Sequence, residues 1–230
     1  MNDAHLSAPD EPSIPDKAYL TQWHDEAEAA AADESNLRDR VRDLTARALH
    51  ERKMDLQELR EIVGAITAGV GSGLASRGGE MKEGLKQAVS GLDEAVSSAA
   101  QKVSYTLREA ADQGRAFKDN ELKTRLEQLR DLEFQFVDTL KQTASQSGGK
   151  LKEELDILSE HMKNSGTRTG ELVREAFQQL VSGVKSTTET SREKLGETAS
   201  AATDRLSEVA SGVLDAVSDA LKRQSDRLRH

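Results

Sequence analysis

The sequence predicts an all-α protein made of long amphipathic hendecad helices, and three observations lead to this. Apolar residues recur at every eleventh position along most of the chain, helix-forming residues dominate its composition, and no proline follows Pro15. Because proline breaks helix interiors, the rest of the chain can form long helices. We expect an elongated coiled coil or an open helical bundle behind a disordered acidic N-terminal tail.

The 11-residue series consists of Val41 and the positions that follow it in steps of eleven. Sixteen of its eighteen positions hold Leu, Val or Met, and the exceptions are Arg52 and Lys118. Three helical turns fit this repeat at about 3.67 residues per turn, so such a series forms one nearly straight stripe. From it we predict an interaction face of Val63, Leu85, Val96, Leu107, Leu129, Leu140, Leu151, Met162, Val173, Val184, Leu195, Leu206 and Val217.

Basic residues lie beside this predicted face. The residue after each series position is basic at eleven of eighteen places and acidic at one. The predicted basic border comprises Lys86, Arg108, Arg130, Lys141, Lys152, Lys163, Arg174 and Lys185. Long Lys and Arg stems can lie along an apolar surface while their charges reach anionic groups. Pairs such as Glu160 and Lys163 also stabilise a solvated helix without any surface, so the pattern fits both interpretations.

Residues 1–36 form an acidic region of their own. They contain nine acidic residues and one lysine, a net charge of −8 out of −9 for the whole chain. Their low apolar content and their prolines predict a largely disordered tail over 1–36, with a short helix over 16–32. That helix would carry Tyr19, Leu20 and Trp23 on one side. These three residues are a candidate docking motif, for a partner or for the body itself, or else a local staple of the helix.

The long-helix body, residues 37–230, contains three glycine clusters, near 69–79, 147–149 and 164–170. Each glycine inside a helix costs about 1 kcal/mol relative to alanine, so we expect hinges or turns at these places. The 11-residue series keeps its phase across the clusters, which favours continuous or lightly bent helix instead.

The predicted face is thin, because many of its positions hold Ala, Ser, Thr or Gly. The segment over about 117–140 is densest in Leu and Phe, with Phe117, Phe134 and Phe136, and we expect it to be the best-packed part. A face this thin needs cover, from another copy of the chain, from a folded-back segment or from an external surface.

The sequence predicts no catalytic, cofactor-binding or metal-binding residues, and hence a protein that is not an enzyme. It has no cysteine, which excludes thiolate chemistry, and its five histidines form no metal-binding pair. Ser72 lacks the frame of a nucleophile elbow, and Lys185 follows no phosphate-binding loop. The carboxylates are expected on the solvated side of the helices, where none is set up for acid catalysis.

Other classes of function are also disfavoured by the sequence. Residues 37–230 are nearly charge-balanced, so we expect no specific nucleic-acid binding, and we expect no small-molecule substrate. No apolar run is long enough to span a membrane, and the first residues do not resemble a secretory signal. We expect a cytoplasmic protein, peripheral to a membrane or an inclusion.

Two stretches resemble known families. The repeats in GVKSTTETSREKLGETASAATDRLSEVASGV resemble the amphipathic repeats of apolipoproteins, perilipins, synucleins and late-embryogenesis proteins. The overall plan is similar to that of bacterial phasins, which cover polyhydroxyalkanoate granules. The stretch from about Leu37 to Leu140 resembles a group of uncharacterised bacterial long-helix proteins, which implies a bacterial origin.

These observations leave two hypotheses for the function. The first is an interaction protein that coats an apolar or anionic surface, such as a granule, a lipid or a membrane, through its 11-residue face. The second is a self-associating coiled-coil scaffold, in which the same face is buried between copies of the chain.

Overall fold

The computed structural model describes residues 17–33, 35–50, 56–78, 80–112 and 120–179, and the prediction of an all-α fold is confirmed there. Its helices are α1 (Lys17–Ala32), α2 (Leu37–His50), α3 (Leu56–Arg77), α4 (Met81–Asp112), α5 (Asn120–Gln146) and α6 (Gly149–Ser165). A further helical run covers residues 168–179; we call residues 167–179 the arm. The predicted disorder of the first residues and the C-terminal repeats fall outside the described residues.

The helices fold back on one another instead of extending as one rod. α1 lies along α3 and α2 lies along α4, and these two contacts are the most extensive between the helices. α5 packs against α6 and, less extensively, against α3 and α4. We call α1–α4 the N-terminal region and α5, α6 and the arm the C-terminal region. The fold is therefore a bundle in which α1 with α3 and α2 with α4 form closely packed pairs, and α5 and α6 pack together and against α3 and α4.

Most of the glycine cluster at 69–79 lies inside a helix and forms no hinge, because α3 runs through it as far as Arg77. Gly69 and Gly73 lie one helical turn apart and face α1. A Cβ atom at Gly69 would overlap the carbonyl oxygen of His24, and one at Gly73 would overlap that of Glu28. These glycines therefore allow two helix backbones to approach closely, and their role is contact and not bending.

A glycine also joins α2 to α4. A Cβ atom at Gly91 would overlap the carbonyl oxygen of Arg38 and lie 3.0 Å from the backbone nitrogen of Arg42. The larger apolar side chains around these contacts, including Leu37, Val41 and Leu92, are at most 2% exposed. Both helix pairs of the N-terminal region are thus held at short backbone distance.

The chain turns at three other glycines. Gly78 follows α3 with φ 71°, Gly149 begins α6 with φ 58°, and Gly166 follows α6 with φ 81°. Residues with a side chain rarely adopt such positive φ values, so glycine is favoured at all three turns. The turns separate α3 from α4, α5 from α6, and α6 from the arm.

The hydrophobic core runs through both regions, and the side chains of part of the segment predicted to be best packed fall outside the described residues. α3 has a continuous set of buried side chains from Leu59 to Leu74. In contrast, Phe134, which was expected inside the best-packed segment, is 52% exposed on α5, whereas Phe136 is fully buried. Phe117 falls outside the described residues. Among the described residues, no helix combines the length and apolarity that crossing a membrane requires.

Candidate interaction face

Most described members of the predicted interaction face point into the bundle. Val63, Leu85, Val96, Leu129 and Leu140 are at most 1% exposed. On α6 and the arm the burial is less complete: Leu151 and Met162 are half-buried, and Val173 is 8% exposed. The side chains of Leu107, Val184, Leu195, Leu206 and Val217 fall outside the described residues. Where the structure describes it, the face is covered by folded-back helices of the same chain.

The predicted basic border lies at the surface. Its exposed members are Lys86, Arg108, Lys141, Lys152, Lys163 and Arg174, and Lys185 falls outside the described residues. Arg130 is half-buried and pairs with Asp131 at 2.9 Å between Nε and Oδ1. The cations therefore remain in water while the apolar residues beside them face inward.

The three residues of the candidate docking motif contact the body of the same chain. Trp23 is 1% exposed, and its ring meets Tyr19 edge to face at 5.6 Å between centroids. The Tyr19 hydroxyl donates to the carbonyl oxygen of Ala48 on α2 at 2.9 Å, and the Arg47 guanidinium lies 5.5 Å from the Trp23 ring centre. Leu20 packs half-buried against the core. The motif thus joins α1 to α2.

The most polar contact between the two regions is formed by Asp93 of α4 at the start of the arm. Its carboxylate accepts the backbone N–H of Arg168 at 2.8 Å and that of Thr169 at 3.0 Å. It also accepts the Thr169 hydroxyl at 2.7 Å. Backbone N–H groups in the first turn of a helix have no partner within the helix, and a carboxylate there stabilises them by hydrogen bonding and by its charge.

Glu133 of α5 holds the same turn from the other side. Its Oε1 accepts the backbone N–H of Thr167 at 3.3 Å and the Thr167 hydroxyl at 3.1 Å. The Thr167 oxygen in turn accepts the N–H of Gly170 at 2.9 Å, as an N-cap residue does. A Cβ atom at Gly170 would overlap the Glu133 carboxylate, so only glycine allows this approach. We call Asp93 and Glu133 the acid clamp.

A second ionic contact lies beside the acid clamp. Glu94 accepts Arg38 of α2 at 2.9 Å and Arg168 of the arm at 2.8 Å, both at Oε1. The hydrogen bond from Arg38, with the positive charges of Arg38 and Arg168, holds the pKa of Glu94 below its usual 4.5, although partial burial opposes the shift. Glu94 thus links α2, α4 and the arm.

Sequence reasoning missed the acid clamp, because it treated the acidic positions as a solvated stripe. A local signal was present: Gly166 followed by Thr167 is a helix end followed by a helix start. Nothing local in the sequence shows that Asp93 and Glu133 meet this turn. Both lie far before it in the sequence and become its neighbours only through the folding back of α4 and α5.

One cluster of side chains and one single residue bear on the expected absence of chemistry. His24, Asp25 and Glu28 bring one potential metal-ligating atom each within 4.8 Å of one another on α1, on an exposed face that offers no enclosure. The expectation that carboxylates lie on the solvated side is wrong for Glu58, which is 5% exposed in the first turn of α3. Neither of them combines a nucleophile, a base and a cleft.

Comparison with protein families places the chain in a family. Residues 13–223 match a family of unknown function, DUF6781. The chain belongs to that family. The match covers every described helix and agrees with the resemblance to an uncharacterised family, but it assigns no activity. No curated protein and no solved structure shows a significant similarity to the chain.

Proposed function

We propose that this DUF6781 protein is a non-enzymatic interaction protein that coats an apolar or anionic surface, such as a lipid membrane or a polymer granule. It would do so by turning the 11-residue face of its C-terminal region from the bundle interior to that surface. The observation that carries the proposal is a buried apolar face in the C-terminal region that is bordered by exposed lysines.

The buried residues of the C-terminal region form a suitable apolar face. They include Leu129, Phe136, Leu140, Leu155 and Phe177, each at most 3% exposed. The hydrophobic stabilisation gained by such side chains comes from their removal from water. It depends little on which apolar surface covers them. An external apolar surface can therefore replace the interior of the bundle at moderate cost.

The contacts that would have to open are both polar and apolar. Arg60 of α3 donates to Gln135 of α5, and Arg108 of α4 donates to Gln179 of the arm at 2.8 Å. With the acid clamp and Glu94, these bonds span the two regions, and the apolar side chains of both regions belong to one hydrophobic cluster. A neutral hydrogen bond contributes about 1 kcal/mol and one to a charged group about 1.5–3 kcal/mol, because water replaces it on opening.

The basic border supports an anionic surface in particular. Lys141, Lys152 and Lys163 are exposed and lie next to face positions of α5 and α6. After opening, their stems could lie along the surface while their ammonium groups reach anionic head groups. The resemblance of the repeats to those of phasins and apolipoproteins points to the same kind of partner.

The proposal is tested by flotation of the full chain with vesicles of phosphatidylcholine and phosphatidylglycerol, and with polyhydroxybutyrate particles. We expect binding to at least one of these surfaces. The double variant Leu151→Asp, Met162→Asp should bind at least tenfold more weakly, because it puts charge into the half-buried face of α6. The matched control, Gln146→Asp with Ser165→Asp, changes exposed residues next to the ends of α6 and should bind like the unmodified protein.

Protein that remains in the aqueous fraction with every surface would contradict the proposal. The alternative, a self-associating scaffold, predicts a different result in sedimentation. It requires oligomers that form without vesicles and are lost in the Leu151→Asp, Met162→Asp variant.

A further inference from the structure

The start of the arm differs from the start of α6 in how it is held. Gly148 caps α6 without any side-chain hydrogen bond. The arm, in contrast, has its first three backbone N–H groups bound by carboxylates from two other helices, Asp93 and Glu133. Carboxylates that bind the otherwise unpaired N–H groups of a first helical turn stabilise that turn. The acid clamp therefore contributes to holding the arm against the bundle.

The arm also carries part of the predicted interaction face. Val173, Ala176 and Phe177 are 8%, 4% and 3% exposed and belong to the common hydrophobic cluster. Only Gly166 separates α6 from the arm; glycine readily adopts its φ of 81°, and no atom lies within 4 Å of the place where a Cβ atom would stand. Beyond Gln179 the sequence continues the 11-residue series.

We infer that the arm is the first part of the bundle to detach, that Asp93 and Glu133 are the latch that holds it, and that its apolar side then joins the surface-binding face. The nature of the receiving surface, an anionic lipid interface, rests on the proposed function. The release itself does not, because it can be measured without any lipid.

A latch made of carboxylates can open reversibly. The arm is held by hydrogen bonds from its backbone N–H groups to two carboxylates, and such bonds are stronger than neutral hydrogen bonds. They can nevertheless be exchanged for hydrogen bonds with water. Replacing Asp93 by Asn leaves one oxygen for two backbone donors and turns an N–H₂ group toward them. Replacing Glu133 by Gln removes the charge beside Thr167. Both variants conserve shape, so the loss falls on the latch and not on packing.

The test uses single reporter thiols, since the chain has no cysteine of its own. Ala176→Cys places a thiol on the buried side of the arm, and Ala88→Cys places one in α4, where the alanine is 1% exposed. The rate of maleimide labelling is measured with and without Asp93→Asn and Glu133→Gln. A control pair, Glu153→Gln with Asp156→Asn, makes the same charge change at exposed positions of α6.

We expect the latch variants to raise the labelling rate of the arm thiol at least tenfold and to leave that of the α4 thiol within twofold, with no effect of the control pair. An unchanged rate at the arm thiol, or an equal rise at both thiols, would overturn the inference, since the first shows no latch and the second shows general unfolding.

Flotation of the same variants with phosphatidylglycerol vesicles then separates the two proposals. Tighter binding by the latch variants supports both. Faster labelling of the arm thiol without any binding to the vesicles or to polyhydroxybutyrate particles, in the variants and in the unmodified chain, supports the latch and contradicts the proposed function alone.

Discussion

The two regions of the bundle are held together by different means. In the N-terminal region, Gly69, Gly73 and Gly91 let helix backbones approach closely, and Trp23 fills the junction of α1 and α2. In the C-terminal region, apolar side chains such as Phe136 and Leu140 belong to the same hydrophobic cluster, and carboxylates and long polar side chains, above all the acid clamp, add polar links to the rest. Close packing gains dispersion energy that water cannot replace, whereas polar contacts at a surface exchange with water.

The 11-residue series is buried in both regions, so burial alone does not distinguish them. The contacts of a glycine with a facing helix backbone lie within the N-terminal region, whereas the acid clamp joins the start of the arm to α4 and α5. In the proposed function, the N-terminal region is the permanent part and the C-terminal region is the part that changes partners.

The largest effect is expected from removing an aromatic side chain in each region. Trp23→Ala should lower the free energy of unfolding by about 3–5 kcal/mol, because it leaves a cavity between α1 and α2. Phe134→Ala should lower it by less than about 1 kcal/mol, because that ring is already half in water. Urea unfolding followed by circular dichroism measures both. Equal losses would contradict the burial of Trp23 or the exposure of Phe134.

The next largest loss of stability is expected from adding a single methyl group between two helix backbones. Gly69→Ala should cost about 2–3 kcal/mol, since its Cβ atom must push α1 away from α3. Gly148→Ala is the matched control. Its extended backbone, with φ −126°, suits alanine, and no atom lies within 4 Å of the added carbon. We expect it to be neutral or slightly stabilising. A neutral Gly69→Ala in thermal unfolding would contradict the close contact of α1 and α3.

A smaller effect on stability is expected from protonation of Glu94 at low pH. Because its pKa is held below 4.5 by Arg38 and Arg168, the folded state favours the ionised carboxylate. The stability that it contributes is present above about pH 4.5 and is lost as the pH falls through the lowered pKa. Stability of the unmodified chain should therefore fall more steeply below about pH 4.5 than that of Glu94→Gln.

Carbon-detected NMR titration gives the direct check of this pKa. The carboxyl carbon of Glu94 should titrate with a midpoint below 4.5, and Arg38→Gln should raise that midpoint. A midpoint at or above this value in the unmodified protein would show that the link between α2, α4 and the arm is not formed. Glu160→Gln, on the exposed side of α6, serves as the control for the stability measurement.

The smallest effect on stability is expected at the basic border. The free energy of unfolding should change by less than about 1 kcal/mol in the triple variant Lys141→Gln, Lys152→Gln, Lys163→Gln. Exposed charges contribute little to folding. The same triple variant should bind phosphatidylglycerol vesicles at least fivefold more weakly in flotation. The comparison in the N-terminal region is a triple variant at exposed positions of α4: Lys82→Gln, Lys86→Gln and Lys102→Gln. Equal losses of binding from both triples would remove the distinction between the regions.

The sequence predicted the helical class, and the structure explains why the rest was harder. Periodicity shows which side of a helix is apolar, so the inward direction of Val63, Val96 and Leu140 was accessible. It does not show which helix covers that side. Composition also could not show that Gly78 turns the chain whereas Gly69 lets two helices approach closely. Both roles follow from the absence of a side chain.

The acid clamp shows the same limit for the candidate site. A carboxylate on the outer side of a helix is usually solvated, and Asp93 has the local sequence of such a residue. Its role arises from the start of the arm, which lies much later in the chain and which the fold places beside it. Pairings of this kind depend on how the helices turn back, and no single-sequence pattern carries that information.

The central claim, that the C-terminal region leaves the bundle to bind a surface, is tested most directly by cross-linking each region in turn. One variant joins Arg60→Cys of α3 to Gln135→Cys of α5 with a short bismaleimide, and the other joins Glu26→Cys of α1 to Arg47→Cys of α2. Both replace side chains that are hydrogen-bonded across two helices. We expect the cross-link between α3 and α5 to reduce vesicle binding at least tenfold and the cross-link between α1 and α2 to leave it unchanged. Unimpaired binding by the protein cross-linked between α3 and α5 would show that the face stays inside the bundle, and would contradict the proposed release of the C-terminal region.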